Sequence, residues 1–250
     1  MSGRPVGPIA IVSALHDELR AIDAGLQGRS LQRRAGRDFH VGRLQGHDVL
    51  LVLSGIGKVA AATTATLALE VFGARALLFT GVAGGLAADA QVGDVVVARE
   101  LLQHDMDASP LFPRYEVPLT GRSRFAADPL LADALVAAAG EVLSQPHPAL
   151  QRFGIGRVRC HQGLVISGDR FVSTAAESAA LRAALPEALA VEMEGAAVAQ
   201  VCHDSGRPFG VLRTLSDRAD DAAHVDFPRF TAEVAAEFSR DIVCAALRQL

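Results

Sequence analysis

Val191-Glu192-Met193-Glu194-Gly195-Ala196-Ala197 closes an apolar run with two acids around a methionine and then passes into small residues. Arg213-Thr214-Leu215-Ser216-Asp217 ends a second apolar run further on, again in an acid. Hydrophobic runs that stop at acids read as strands whose carboxyl ends carry chemistry, because ligands of α/β proteins gather outside those ends. Working outward, β-type runs recur at 9–14, 39–44, 49–54, 76–80, 94–98, 163–167, 189–192 and 209–216. Alanine-rich stretches of helical character lie at 16–26, 58–72, 129–144, 174–185, 195–205 and 230–250. This alternation predicts an α/β fold in which helices flank a central mixed β-sheet. The near-continuous apolar runs fit strands covered on both faces. Ser173-Thr174 and Asp128-Pro129 are apt helix starts, the latter with a capping side chain before a proline.

Nothing in the chain suggests a division, so one domain over residues 1–250 is expected; a composition of 50% hydrophobic and 21% charged residues can bury a large core. The formal net charge of −4 comes from interspersed signs and offers no footprint for nucleic acid or acidic lipid, which moves small-molecule partners ahead. Cys160, Cys202 and Cys244 are odd in number, widely spaced and set among apolar residues. That usage predicts reduced thiols, with no disulfide and no cysteine metal site. Met1-Ser2-Gly3-Arg4-Pro5 leads straight into a strand-like run, and no segment has the length of a membrane span. A cytoplasmic protein without membrane association is expected. The irregular region 104–127 holds Pro110, Pro113, Pro118 and the only tyrosine, Tyr115, and such a loop is often functional or interfacial.

Gly55-Ile56-Gly57-Lys58 lies between a strand and a helix and invites a phosphate-loop reading. The spacing refuses it, since a Walker loop needs glycine at 52 and Ser or Thr at 59, where Val52 and Val59 stand. Gly81-Val82-Ala83-Gly84-Gly85 likewise departs from the dinucleotide pattern. Both glycine stretches serve either close approach to a ligand or tight-turn geometry. His16-Asp17-Glu18 after the first strand suits a helix start with or without a chemical task. His104-Asp105-Met106-Asp107 has no second ligand cluster to complete a metal site, and local hydrogen bonding is the expected use. Glu192 and Glu194 would share one face of a strand, and a buried carboxylate is costly unless paired. A salt bridge from the pair to Arg213 is the purely structural alternative, as is a turn cap for Asp217.

With these residues in place, the chain resembles the 5′-methylthioadenosine/S-adenosylhomocysteine nucleosidases of the purine and uridine nucleoside phosphorylase superfamily. The similarity is carried by Ile11-Val12-Ser13-Ala14-Leu15-His16-Asp17-Glu18, Ser54-Gly55-Ile56-Gly57-Lys58-Val59-Ala60-Ala61-Ala62, Thr80-Gly81-Val82-Ala83-Gly84-Gly85-Leu86, Val92-Gly93-Asp94-Val95-Val96-Val97, Gly163-Leu164-Val165-Ile166-Ser167-Gly168-Asp169, Ala190-Val191-Glu192-Met193-Glu194 and Ser216-Asp217. It implies a nucleoside phosphorylase-like fold, a homodimer, a nucleoside substrate, and no cofactor or metal. Under it, Asp217 is the acid that protonates N7 of the leaving adenine and Glu18 the base that activates water. Glu194 takes the ribose 3′-hydroxyl, Met193 lies beside the sugar, Glu192 near the 2′-hydroxyl, and Arg213 orients the carboxylates and water. Phe171 stacks on adenine, the Val172 backbone reads its edge, Ile56 and Phe227 line the 5′ pocket, and Val82 and Ser216 complete the substrate-binding set. Leu15 and Val82 stand where many members have Met and Ser, so Val82 removes a hydroxyl near the sugar.

Cleavage of an N-glycosidic bond develops positive charge on the sugar and negative charge on the base, which the implied acid and acceptors would meet. Burial is expected to keep Asp217 protonated, while water and Arg213 keep Glu18 ionised. The substrates implied are 5′-methylthioadenosine and S-adenosylhomocysteine, with 5′-deoxyadenosine and futalosine-type nucleosides unranked. A phosphorylase on the same fold is the rival, but two acids in His16-Asp17-Glu18 would repel a phosphate dianion. A non-catalytic nucleoside sensor is a second rival, and it would need no water-activating base.

Overall fold

The unbroken apolar character of β1 (Ile9–Ser13) has a direct cause: it lies between β4 (His47–Leu53) and β5 (Ala76–Gly85), parallel to both, with every residue buried. The computed structural model describes residues 7–219 and 227–250, with the backbone alone for Phe227 and Pro228. On one side the sheet continues antiparallel through β3 (Arg37–Leu44) to β2 (Gln27–Arg34). On the other, β5 pairs in parallel with β10 (Phe209–Asp217), which runs antiparallel to β6 (Val95–Gln103). From β6 the ladder passes to β8 (Cys160–Ser167) and β9 (Ala188–Glu192), and β9 returns to β5 at Gly84 and Gly85. A short β7 (Arg124–Ala126) adds to β6, making ten strands in one mixed sheet. Half of that sheet closes on itself, which no periodicity discloses.

Helices cover the sheet: α1 (His16–Asp23), α2 (Lys58–Thr66), α3 (Pro129–Leu143), α4 (Pro148–Arg152), α5 (Ala175–Ala184), α6 (Gly195–Asp204), α7 (Phe227–Phe230) and α8 (Ala236–Leu247). The anticipated caps are present. Asp128 accepts the Leu131 N–H at 3.0 Å, and Thr174 accepts the Glu177 N–H at 3.2 Å. The expected helices at 58–72 and 230–250 are interrupted, since π-helical turns occupy Leu67–Val71 and Thr231–Ala235. Two strands and a helix went unread. All eight residues of β2 are exposed and so show no alternation, β7 has three residues, and α4 is a single turn capped by His147.

Two corrections place the site. Gly81-Val82-Ala83-Gly84-Gly85 is the second half of β5 rather than a loop. Strand β9 stops at Glu192, and Glu194 precedes the first turn of α6, so the two acids do not share a strand face. Although β5 and β9 run antiparallel, they cross at their carboxyl ends, with Gly84 opposite Val191 and Gly85 opposite Ala190. Cys160, Cys202 and Cys244 are free thiols, and burial pushes Cys202 up to about 12. Among the described residues, no helix is long and apolar enough to cross a membrane.

Candidate active site

Where these strand ends converge, a cavity of about 260 Å³ is walled largely by carbon and floored by carboxylates. It draws Leu15 and Glu18 from the β1–α1 connection, Ile56 from the turn after β4, and residues 81–84 from β5. Phe171 and Val172 come from the segment after β8, residues 191–194 from the end of β9, and Arg213, Ser216 and Asp217 from β10. The site residues named from sequence thus meet in one place, with one exception: the side chain of Phe227 lies outside the described residues. A concave apolar wall with a few convergent polar groups is the usual form of a small-molecule site.

Glu18 sits in the first turn of α1 and is fully buried. The Ser13 hydroxyl donates to its Oε2, while Oε1 has no hydrogen-bond partner. Burial pushes its carboxyl up to about 7, against the opposing pull of Ser13 and Arg213. This corrects the expectation of a solvated, fully ionised Glu18: its desolvation outweighs the nearby cation.

Arg213 is buried midway along β10, its guanidinium 4.1 Å from the Phe79 ring centroid and paired with Glu192. Glu192 is saturated with donors, accepting from the Ser167 hydroxyl and from the N–H groups of Glu194 and Gly195 at the start of α6. Those amides are the unsatisfied donors of a helix N-terminus, so Glu192 serves both as cap and as counter-ion. The structural alternative, an ion pair to Arg213, therefore holds for Glu192. Glu194 instead accepts the Gly57 N–H at 2.9 Å; burial, and next the charge of Glu192, raise its carboxyl above the ordinary range.

Asp217 closes β10 just past a register shift and accepts from the Ser216 hydroxyl and the Ala219 N–H, both at 2.7 Å. The glycines of β5 make room for these groups. A Cβ on Gly81 would stand 2.4 Å from Arg213 Nη1 and 3.5 Å from Glu18 Oε1, and one on Gly84 would stand 3.0 Å from Asp217 Oδ1. Close approach, rather than turn geometry, is the use of this glycine stretch. Gly57, with φ of 94°, serves a turn and a close approach at once.

Sequence reasoning missed Ser13, Ser167 and Arg170. The two serines end apolar strands as Asp217 does, but a serine there is ordinary and gives no comparable signal. In His104-Asp105-Met106-Asp107, Asp107 accepts the Ser109 N–H at 3.0 Å, the local use expected, whereas Asp105 reaches across to Lys58. Among the described residues, no group of three or more His, Cys, Asp or Glu is placed to hold a metal ion.

Residues 8–248 match the family model of the phosphorylase superfamily. The chain is 38% identical over 242 residues to a 5′-methylthioadenosine/S-adenosylhomocysteine nucleosidase of Chromohalobacter salexigens, covering 97% of each. Among solved structures it is similar to the 5′-methylthioadenosine/S-adenosylhomocysteine nucleosidase of Neisseria meningitidis in complex with methylthio-immucillin-A, with a TM-score of 0.86 and 34% identity over 98% of this chain and 100% of that one. The S-adenosylhomocysteine nucleosidase of Streptococcus pyogenes in complex with 5-methylthiotubericidin gives a TM-score of 0.85 and 32% identity over 100% and 99%.

Proposed function

Because the chain belongs to the phosphorylase superfamily and, within it, to the 5′-methylthioadenosine/S-adenosylhomocysteine nucleosidases, we propose that its cavity carries out hydrolysis with Glu18 and Asp217 as the proton-transferring pair. The enzyme cleaves the N-glycosidic bond of 5′-methylthioadenosine and S-adenosylhomocysteine, giving adenine and the 5-substituted ribose. One water is consumed. Glu18 takes a proton from it as its oxygen bonds to the anomeric carbon, and Asp217 gives a proton to N7 as the bond to adenine breaks. Glu194 receives the ribose 3′-hydroxyl, and Glu192, held by Arg213, fixes the sugar side of the cavity. Phe171 and Val172 hold the adenine, while Ile56 and Leu15 wall the thioether.

The observation that carries this reading is Glu18, a buried carboxyl at about 7 opening on the same cavity as Asp217. A base whose midpoint lies near the working pH is the efficient one for abstracting a proton. Glu18 and Glu194 together disfavour a phosphate dianion as the nucleophile. Adenine release measured with and without phosphate tests it: equal rates and free 5-substituted ribose are expected, and dependence on phosphate with a ribose 1-phosphate product overturns it.

We further read the protein as a cytoplasmic homodimer. Ile56, Val59 and Leu111 are 61%, 77% and 83% exposed, and Ile56 lines the cavity, which supports a second copy covering that mouth.

A further inference from the structure

Two motifs have no part in the chemistry above: the lysine of Gly55-Ile56-Gly57-Lys58 and the acid of His104-Asp105. The fold joins them. Lys58 Nζ donates to Asp105 Oδ1 at 2.6 Å and to Gln103 Oε1 at 3.1 Å. Asp105 Oδ2 accepts the Asp169 N–H at 2.9 Å, and Asp169 Oδ1 accepts the Lys58 N–H at 2.7 Å, which closes a ring across the ends of β4, β6 and β8. Gln103 passes the connection to Gln200 on α6 at 2.8 Å. The residue before Lys58 is Gly57, whose N–H donates to the Glu194 carboxylate at 2.9 Å, the one hydrogen bond on that carboxylate among the described residues.

An exposed ion pair would add little, but here the lysine side chain is only 15% exposed and meets oxygens from several segments. Composition points the same way. Lys58 is the only lysine in a sequence that otherwise uses arginine for every cation of this kind. A compact ammonium with freely rotating donors can satisfy convergent oxygens that a planar guanidinium cannot. Burial opposes ionisation of Asp105, yet the Lys58 ammonium and the Asp169 N–H hold its carboxyl below the usual carboxylate range. Gly57 itself leaves no slack: a Cβ there would lie 3.1 Å from Asp169 Oδ1.

We propose that Lys58 and Asp105 are positioning residues, which act through Asp169 to fix the turn whose Gly57 N–H aims the Glu194 carboxylate at the ribose. The proposal rests on the reading of Glu194 as acceptor of the 3′-hydroxyl. Its test compares kcat/KM for 5′-methylthioadenosine and its 3′-deoxy analogue in the wild type, Asp105→Asn and Lys58→Arg, with thermal unfolding as the check on folding. The wild type should favour the 3′-hydroxyl substrate strongly. In both variants that preference should shrink about tenfold, because misplacing a substrate-holding group costs the substrate that uses it, while the deoxy analogue changes by less than about twofold. Equal losses on both substrates, or no loss on either, would overturn the positioning role. A wild type indifferent to the 3′-hydroxyl would remove the Glu194 reading and the proposal with it, and that result is read before any variant is made. Lys58→Arg keeps the charge, so it stands as the second variant if Asp105→Asn fails to fold.

Discussion

A fully buried carboxyl with its midpoint at about 7 is partly ionised at neutral pH, so Glu18 can accept a proton from water yet not hold it too tightly. The kcat/KM profile should therefore rise with unit slope from acid pH to a midpoint near 7. Glu18→Gln should abolish that limb and lower kcat by ~10²–10⁴-fold, as loss of a general base does. Asp217→Asn should cost a similar factor, since an amide has no proton to give N7; an effect below about tenfold in either variant would count against its role. The same burial has a thermodynamic side. Unfolding returns Glu18 to the ordinary value of 4.5, so between 4.5 and about 7 the native state holds a proton that the unfolded chain has released. The contribution of this group to stability is thus full below 4.5 and is lost as pH rises through about 7. Glu18→Gln should raise Tm at about pH 8 and change it little at about pH 5, readable by differential scanning fluorimetry. A variant destabilised at the higher pH would show that the ionised carboxylate is favoured by its surroundings after all.

At the scale of the element, β5 is where packing and catalysis compete. Its first half, Ala76–Thr80, is apolar because β1 and β10 flank it; its second half is glycine-rich because Arg213, Glu18 and Asp217 crowd against it. Gly81→Ala would drive a methyl into the Arg213 guanidinium, which Phe79 and Glu192 prevent from yielding freely. We expect a loss of about 1–3 kcal/mol in stability, typical of overpacking, together with a fall in kcat. Unchanged unfolding and turnover would show that Arg213 has room to move. The contrast between the halves also explains what the sequence reveals. Strands β1 and β4 announce themselves because their apolar runs are covered and have no gaps, and β10 does so although Arg213 and Thr214 interrupt its run. Strand β2 conceals itself because neither face is covered, and the closure of the sheet is invisible because β9 meets β5 across a long separation in chain. Among the site residues, acids at the ends of apolar runs stand out as burial anomalies. Ser13 and Ser167 do not, since serine is common at any strand end. The protonation of Glu18 is out of reach of sequence because it depends on what seals the carboxyl from solvent.

For the whole molecule, the exposed apolar set Ile56, Val59 and Leu111 bears on assembly. Static light scattering should report a dimer mass, and Val59→Asp should dissociate it and weaken turnover of 5′-methylthioadenosine, because the mouth of the cavity at Ile56 loses its cover. A wild-type monomer with full activity would exclude this.

Closure of the sheet leaves β2 as the long strand with an unpaired side among the described strands. Such an edge can recruit a strand from another molecule and seed insoluble stacking. Here it is guarded: the register slips between Gln27 and Ser30, and Arg29, Arg33 and Arg34 project from it into solvent. The arginines that look idle on a catalytic reading are the charges expected to guard such an edge, and an apolar replacement of that strand should favour edge-to-edge stacking.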